Sequence, residues 1–133
     1  MSKEIGKCLC GRIEVECDDL PKNVVACYCE DCQKASGGGP SFNILIPDDL
    51  IRIIKGNPSV YEMKANSGNL LKRLFCSYCG TAICSELTTR TVWKAGLFSH
   101  LKKNLEVVLN VWSSSANNLC RVDKNKETYE QGR

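Results

Sequence analysis

Ten cysteines, seven of them gathered into three short groups, constrain this 133-residue chain more than any other feature. The groups are Cys8-Leu9-Cys10-Gly11, Cys27-Tyr28-Cys29-Glu30-Asp31-Cys32 and Cys76-Ser77-Tyr78-Cys79-Gly80. A chain of this length buries roughly 65–70% of the surface its unfolded form exposes, so a single domain of this size folds without staples. The sequence opens MSKEIGK, which is charged and has no apolar leader segment, and no apolar run approaches the roughly 18–20 residues of a membrane span. The expectation is a cytoplasmic, reducing setting in which clustered thiols bind metal rather than form disulfides. Net charge is +3 with the basic residues scattered, which argues against a nucleic-acid partner.

Zinc binds thiolates at about 2.3 Å and prefers four of them in a tetrahedron. A C-x-x-C turn followed by glycine, as at Cys76–Gly80, brings two sulfurs to one ion while backbone N–H groups turn toward them. Joining the pairs Cys8/Cys10 and Cys76/Cys79 gives a closed four-thiolate site. It leaves Cys27, Cys29 and Cys32 as a three-thiolate site with an open position, the arrangement a catalytic zinc keeps. Spacing alone leaves the pairing open, and a single cluster of six or seven thiolates is a further arrangement it allows. Cys17 extends an apolar strand face and reads as core; Cys84 is an alternative ligand near the knuckle; Cys120 is left over. His100, the only histidine, reads as an exposed turn residue.

The remaining sequence is mainly β. Arg12–Cys17 alternates, and Val24–Ala26, Phe42–Ile46, Ile51–Ile54, Leu70–Cys76 and Val92–Ala95 are short apolar runs punctuated by Gly and Pro. Leu105–Trp112 is apolar enough for burial on both faces. Gly56-Asn57-Pro58 before Val60–Met63 predicts a hairpin corner. One short helix is expected at Glu30–Ser36, stopped by Gly37-Gly38-Gly39. Residues 1–133 read as one zinc-binding domain with a core over about 5–115, and residues 117–133 as a polar tail with an edge strand at most.

Three motifs together, G-x-C-x-C-G at Gly6–Gly11, C-x-C-x-x-C at Cys27–Cys32 followed by Lys34 and Gly37, and F-C-x-x-C-G at Phe75–Gly80, resemble the glutathione-dependent formaldehyde-activating enzyme family. That family also includes the centromere protein V domain. The resemblance spans about Gly6–Trp112 and implies an Mss4-like β-sheet fold carrying two zinc ions. One would be structural, on Cys8, Cys10, Cys76 and Cys79; the other would sit on Cys27, Cys29 and Cys32 and be associated with glutathione. The implied activity is carbon–sulfur lyase, interconverting S-hydroxymethylglutathione with formaldehyde and glutathione. Three positions depart from the family pattern: Tyr28 stands where His is frequent, Gln33 replaces a basic residue, and Gly96-Leu97-Phe98-Ser99 replaces a G-T-L-D-like segment. Lys34 is the first candidate for holding a substrate carboxylate, with Arg73 and Lys94 behind it. Glu30 or Asp31 could relay a proton, and Trp93 and Phe42 could line a pocket. The alternative is a non-catalytic zinc module for protein partners, or a thiol or metal buffer.

Overall fold

The computed structural model describes residues 3–65 and 68–132, which form two compact units, one within 1–21 and 45–101, the other within 22–44 and 102–133. Mainly β structure is observed in both. No helix among the described residues is long and apolar enough to cross a membrane.

In the first unit, β1 (Glu4–Lys7), β2 (Glu14–Cys17) and β5 (Ile51–Lys55) make an antiparallel three-stranded sheet in the order β1-β2-β5. The alternation of β2 buries Val15 and Cys17 completely while Glu14 and Glu16 face outward, so Cys17 is a core residue. Glu16 and Asp18 share Arg52, which holds both carboxyls below their ordinary range. A second antiparallel set runs β6 (Ser59–Lys64), β7 (Leu70–Phe75), β8 (Ala82–Glu86) and β9 (Thr91–Lys94), each paired with the next. Cys84 and Trp93 are opposite each other in that set and both buried.

The predicted hairpin at Gly56–Tyr61 does not form. The turn is present, but β5 pairs with β2 whereas β6 pairs with β7, in a different sheet. The reason lies at Gly56, whose φ is +81° and whose missing Cβ would stand 2.3 Å from the Arg12 carbonyl oxygen. The chain is pressed onto the Arg12 backbone and leaves the sheet rather than folding back along β5. A second close approach explains Gly6: a Cβ there would meet the Phe98 ring at 2.9 Å and Leu97 at 3.0 Å. Leu97 and Phe98 are the buried residues of a short 3-10 segment, Ala95–Leu101, that packs on β1.

In the second unit, β10 (Glu106–Val111) lies between β3 (Asn23–Cys27) and β11 (Glu127–Thr128), parallel to both; β4 (Ser41–Leu45) adds antiparallel to β3. Helix α1 (Glu30–Ser36) occupies the expected span. Cys29 caps its start, and Gly37, with φ 91°, ends it in the left-handed conformation that a side chain disfavours. The consecutive residues Leu109 and Asn110 are both buried, as a strand covered on its two faces requires. Asn110 donates to Asp123 O at 3.0 Å and Thr128 Oγ1 at 3.3 Å, and Trp112 N–H donates to Gln131 O at 3.1 Å. The expected loose tail is therefore hydrogen-bonded into the unit through Gln131; its last residue, Arg133, lies outside the described residues.

Candidate metal centres

The four-cysteine centre is built wholly within the first unit by two turns of similar design. Cys8–Gly11 closes with Gly11 N–H on Cys8 O at 3.1 Å, and Cys76–Gly80 with Gly80 N–H on Cys76 O at 2.8 Å. Both glycines have positive φ, +80° and +77°, which allows the chain to reverse directly behind the sulfurs. The four Sγ atoms lie within 4.8 Å of one another. Cys8 to Cys10 is 3.7 Å and Cys10 to Cys76 is 3.8 Å. A tetrahedron of thiolates at about 2.3 Å from a central ion has edges of about 3.8 Å, so the sulfurs fit a metal. All ten cysteines are free thiols.

Groups around Cys10 and Cys79 favour the ionised, ligating form of those two thiols, whereas Cys76 is shifted upward. Ile13 N–H donates to Cys8 Sγ at 3.3 Å. The Thr81 hydroxyl stands 3.1 Å from Cys79 Sγ and, with the Thr81 backbone N–H, lowers that thiol to about 5; the same hydroxyl accepts Leu9 N–H at 3.0 Å. Cys10 is lowered by the backbone N–H of Arg12 and further by its guanidinium, which also lies 4.0 Å over the Tyr78 ring. Arg12 and Thr81 are not identifiable by residue type. Their only sequence signal is position, each two residues after a ligand and immediately after a motif glycine.

The three-cysteine centre lies wholly in the second unit. Cys27 ends β3, Cys29 caps α1 and Cys32 is in its first turn; their Sγ atoms also lie within 4.8 Å of one another. Cys32 N–H donates to Cys29 Sγ at 3.4 Å. Cys27 is pushed up by the neighbouring thiols of Cys29 and Cys32 and then by burial, so a cation is what would let the three ionise together. Three convergent thiols without a fourth among the described residues fit a metal that keeps one position for another ligand. The sequence motif accordingly separates into a four-sulfur and a three-sulfur group, not one larger cluster.

Other candidates fall in varied places. Lys34 is exposed in the last turn of α1, and Glu30 and Asp31 are exposed in its first turn. Arg73, Lys94 and Trp93 belong to the first unit; Arg73 Nε reaches Met63 Sδ at 3.4 Å, and Trp93 is buried. Phe42 is 45% exposed. His100 pairs with Glu4 at 3.0 Å on a groove of about 830 Å³ and joins neither sulfur group. Cys120 Sγ contacts Asn117 Oδ1 at 3.4 Å, outside the triad. Gln33 and Asn117, which no spacing rule singles out, tie α1 to residues 113–117: Gln33 Nε2 donates to Tyr28 O at 2.7 Å and Ser115 O at 2.8 Å.

The model of the glutathione-dependent formaldehyde-activating enzyme family matches residues 3–115. Among solved structures, a Rhodobacter sphaeroides structural-genomics protein is similar in fold, with a TM-score of 0.57 over 95% of this chain and 99% of that one, at 14% identity. No curated protein matches the sequence.

Proposed function

Because the chain belongs to the glutathione-dependent formaldehyde-activating enzyme family, we propose that it is a zinc-dependent carbon–sulfur lyase acting on a glutathione, or similar thiol, adduct of formaldehyde or another small aldehyde. The observation that carries this reading is the convergence of Cys27, Cys29 and Cys32 without a fourth His, Cys, Asp or Glu ligand among the described residues. Zinc is the ion proposed for both centres, since closed four-thiolate and open three-thiolate sets both suit it. Cys8, Cys10, Cys76 and Cys79 would hold the structural ion.

At the open centre, a bound zinc supplies an environment in which a fourth, incoming thiol is held as thiolate. Cys27, Cys29 and Cys32 would hold that ion, and their three negative charges would leave it a weak Lewis acid. The centre therefore favours delivery of a sulfur nucleophile over polarisation of the carbonyl. The substrate thiolate would add to the aldehyde carbon: a carbon–sulfur bond forms as the carbon–oxygen π bond breaks, and the resulting alkoxide oxygen takes up the equivalent of the proton that the thiol released. The reverse step breaks that bond and returns thiol and aldehyde. Lys34, at the exposed end of α1, is the residue proposed to meet a substrate carboxylate. Glu30 and Asp31 favour the helix start electrostatically and are in reach of solvent for proton exchange. A reducing, cytoplasmic setting suits ten free thiols.

The test is zinc per chain under reducing conditions, with and without excess glutathione, followed by S-hydroxymethylglutathione turnover measured by NMR. Two zincs, a response of one of them to glutathione, and turnover are expected. Two zincs indifferent to glutathione, with no turnover, would replace the enzyme with a partner-binding zinc module; Leu9 and Tyr78, 86% and 73% exposed beside the closed centre, are then the surface to examine.

A further inference from the structure

We infer that Gln33 is a positioning residue of the three-cysteine centre, an amide clamp that sets the mutual placement of its thiols. The inference rests on the reading of that centre as a metal site. A side-chain amide offers two N–H donors and one carbonyl oxygen. Both donor directions of Gln33 are taken by backbone carbonyls, Tyr28 O at 2.7 Å and Ser115 O at 2.8 Å. Its oxygen accepts from Asn117 Nδ2 at 3.2 Å, and Asn117 also donates to Gly38 O at 2.9 Å.

The Tyr28 carbonyl belongs to the peptide that leads from the strand-held Cys27 into Cys29, so fixing it limits how Cys29 turns relative to Cys27. The Gln33 N–H on Cys29 O at 3.0 Å is the first helical bond of α1, which most residues would keep, so the amide is what is particular to Gln33. The Gln33 side chain thus holds the C-x-C segment through the Tyr28 carbonyl without joining the sulfur group.

The far end of the clamp is itself rigidly set. Trp112 has φ 57°, ψ 37°, a left-handed backbone that is costly for a bulky residue and persists only where the surroundings enforce it. Here Trp112 N–H is held by Gln131 O at 3.1 Å, and Ser115 N–H closes the turn onto Trp112 O at 3.0 Å. That turn delivers the Ser115 carbonyl to Gln33. A lysine or arginine at position 33 could donate but could not accept from Asn117. A glutamate would set carboxylate oxygens against two carbonyl oxygens, and a methionine would leave both carbonyls without the amide.

The experiment compares the full chain with Gln33→Glu and Gln33→Met, each loaded with Zn²⁺ or Co²⁺. Chelator-driven metal release is followed alongside the visible Co²⁺–thiolate bands and thermal unfolding. The expected result is that Gln33→Glu releases one of two metals roughly 10–100-fold faster, the range for losing a partner that orients ligands. Its Co²⁺ bands for that metal shift, while the other metal and the melting temperature stay as in the parent; Gln33→Met follows in the same direction. Unchanged release from both variants, with two metals in the parent, would overturn the clamp and leave the proposed function standing. Parallel loss of both metals with a falling melting temperature would also overturn it, as a merely structural role. A parent chain that binds only one metal would overturn both readings. Should Gln33→Glu fail to fold, Gln33→Met and Asn117→Ala decide by the same criteria.

Discussion

Arg12 illustrates how much a single side chain contributes without being a ligand. Its guanidinium lies 4.0 Å over the Tyr78 ring and next to Cys10, at the edge of four thiolates that would leave a divalent ion with a net charge of about −2. Removing that positive charge weakens the centre from outside. Arg12→Gln is expected to speed loss of the closed-site metal to a chelator by roughly 10-fold, and the difference should shrink as salt rises; equal rates at low salt would assign Arg12 to packing alone. The ligands themselves divide by role. Cys76→Ser should give a chain that unfolds or aggregates, whereas Cys29→Ser should remain folded with one metal. Circular dichroism and metal analysis on both variants check this, and equal loss of structure would contradict it.

At the scale of elements, the glycine behind the β5–β6 turn carries more than its sequence neighbours suggest. Gly56→Ala places a methyl 2.3 Å from Arg12 O at φ +81°, and should cost about 1–3 kcal/mol, seen as a lower urea midpoint with unchanged metal content. The β2–β5 pairing also has a pH signature. Glu16 and Asp18 are depressed by Arg52 from ordinary values of 4.5 and 3.8. Their stabilisation is fully present above those values and is lost as pH falls through the lower folded ones. Arg52→Gln should therefore flatten the fall of the urea midpoint below about pH 4.5 at low salt, and high salt should erase much of the difference. Most of these elements were legible in the sequence. Helix Glu30–Ser36 was bounded by its own composition and by the glycines after it, and Arg12–Cys17 by strict alternation. What escaped was set by distant contacts. The hairpin at Gly56 gave way to a sheet whose other strands lie forty residues earlier, β1 is only four residues long, and the tail was ordered by Asn110 and Trp112, whose hydrogen bonds no local pattern reports. The sulfur groups were legible because ligand spacing is local and cysteine is a ligand type; Arg12 and Thr81 were not, because their residue types announce no such role, nor were Gln33 and Asn117, whose contacts span more than eighty residues.

For the molecule as a whole, a zinc ion on the four cysteines of the closed centre would by magnitude rank among the main determinants of stability. Structural zinc sites contribute about 10–16 kcal/mol of apparent binding energy in small peptides, comparable with or larger than the roughly 5–15 kcal/mol that separates folded from unfolded domains. Chelation in reducing buffer should therefore abolish the cooperative thermal transition. Returning one equivalent of Zn²⁺ should restore it, and a second should add little circular dichroism; a chain that melts identically with and without chelator would refute this. The same centre imposes an order on biosynthesis. Cys10 and Cys76 are 66 residues apart, with the entire Cys27–Cys32 triad between them. At roughly 5–20 residues per second of translation, the first pair waits several seconds for its partners, whereas the triad is complete within six codons. The nascent chain thus completes its three-thiolate group before the four-thiolate group can exist, and an ion captured early on the ribosome would find three converging thiols in the triad when the closed centre still offers only Cys8 and Cys10.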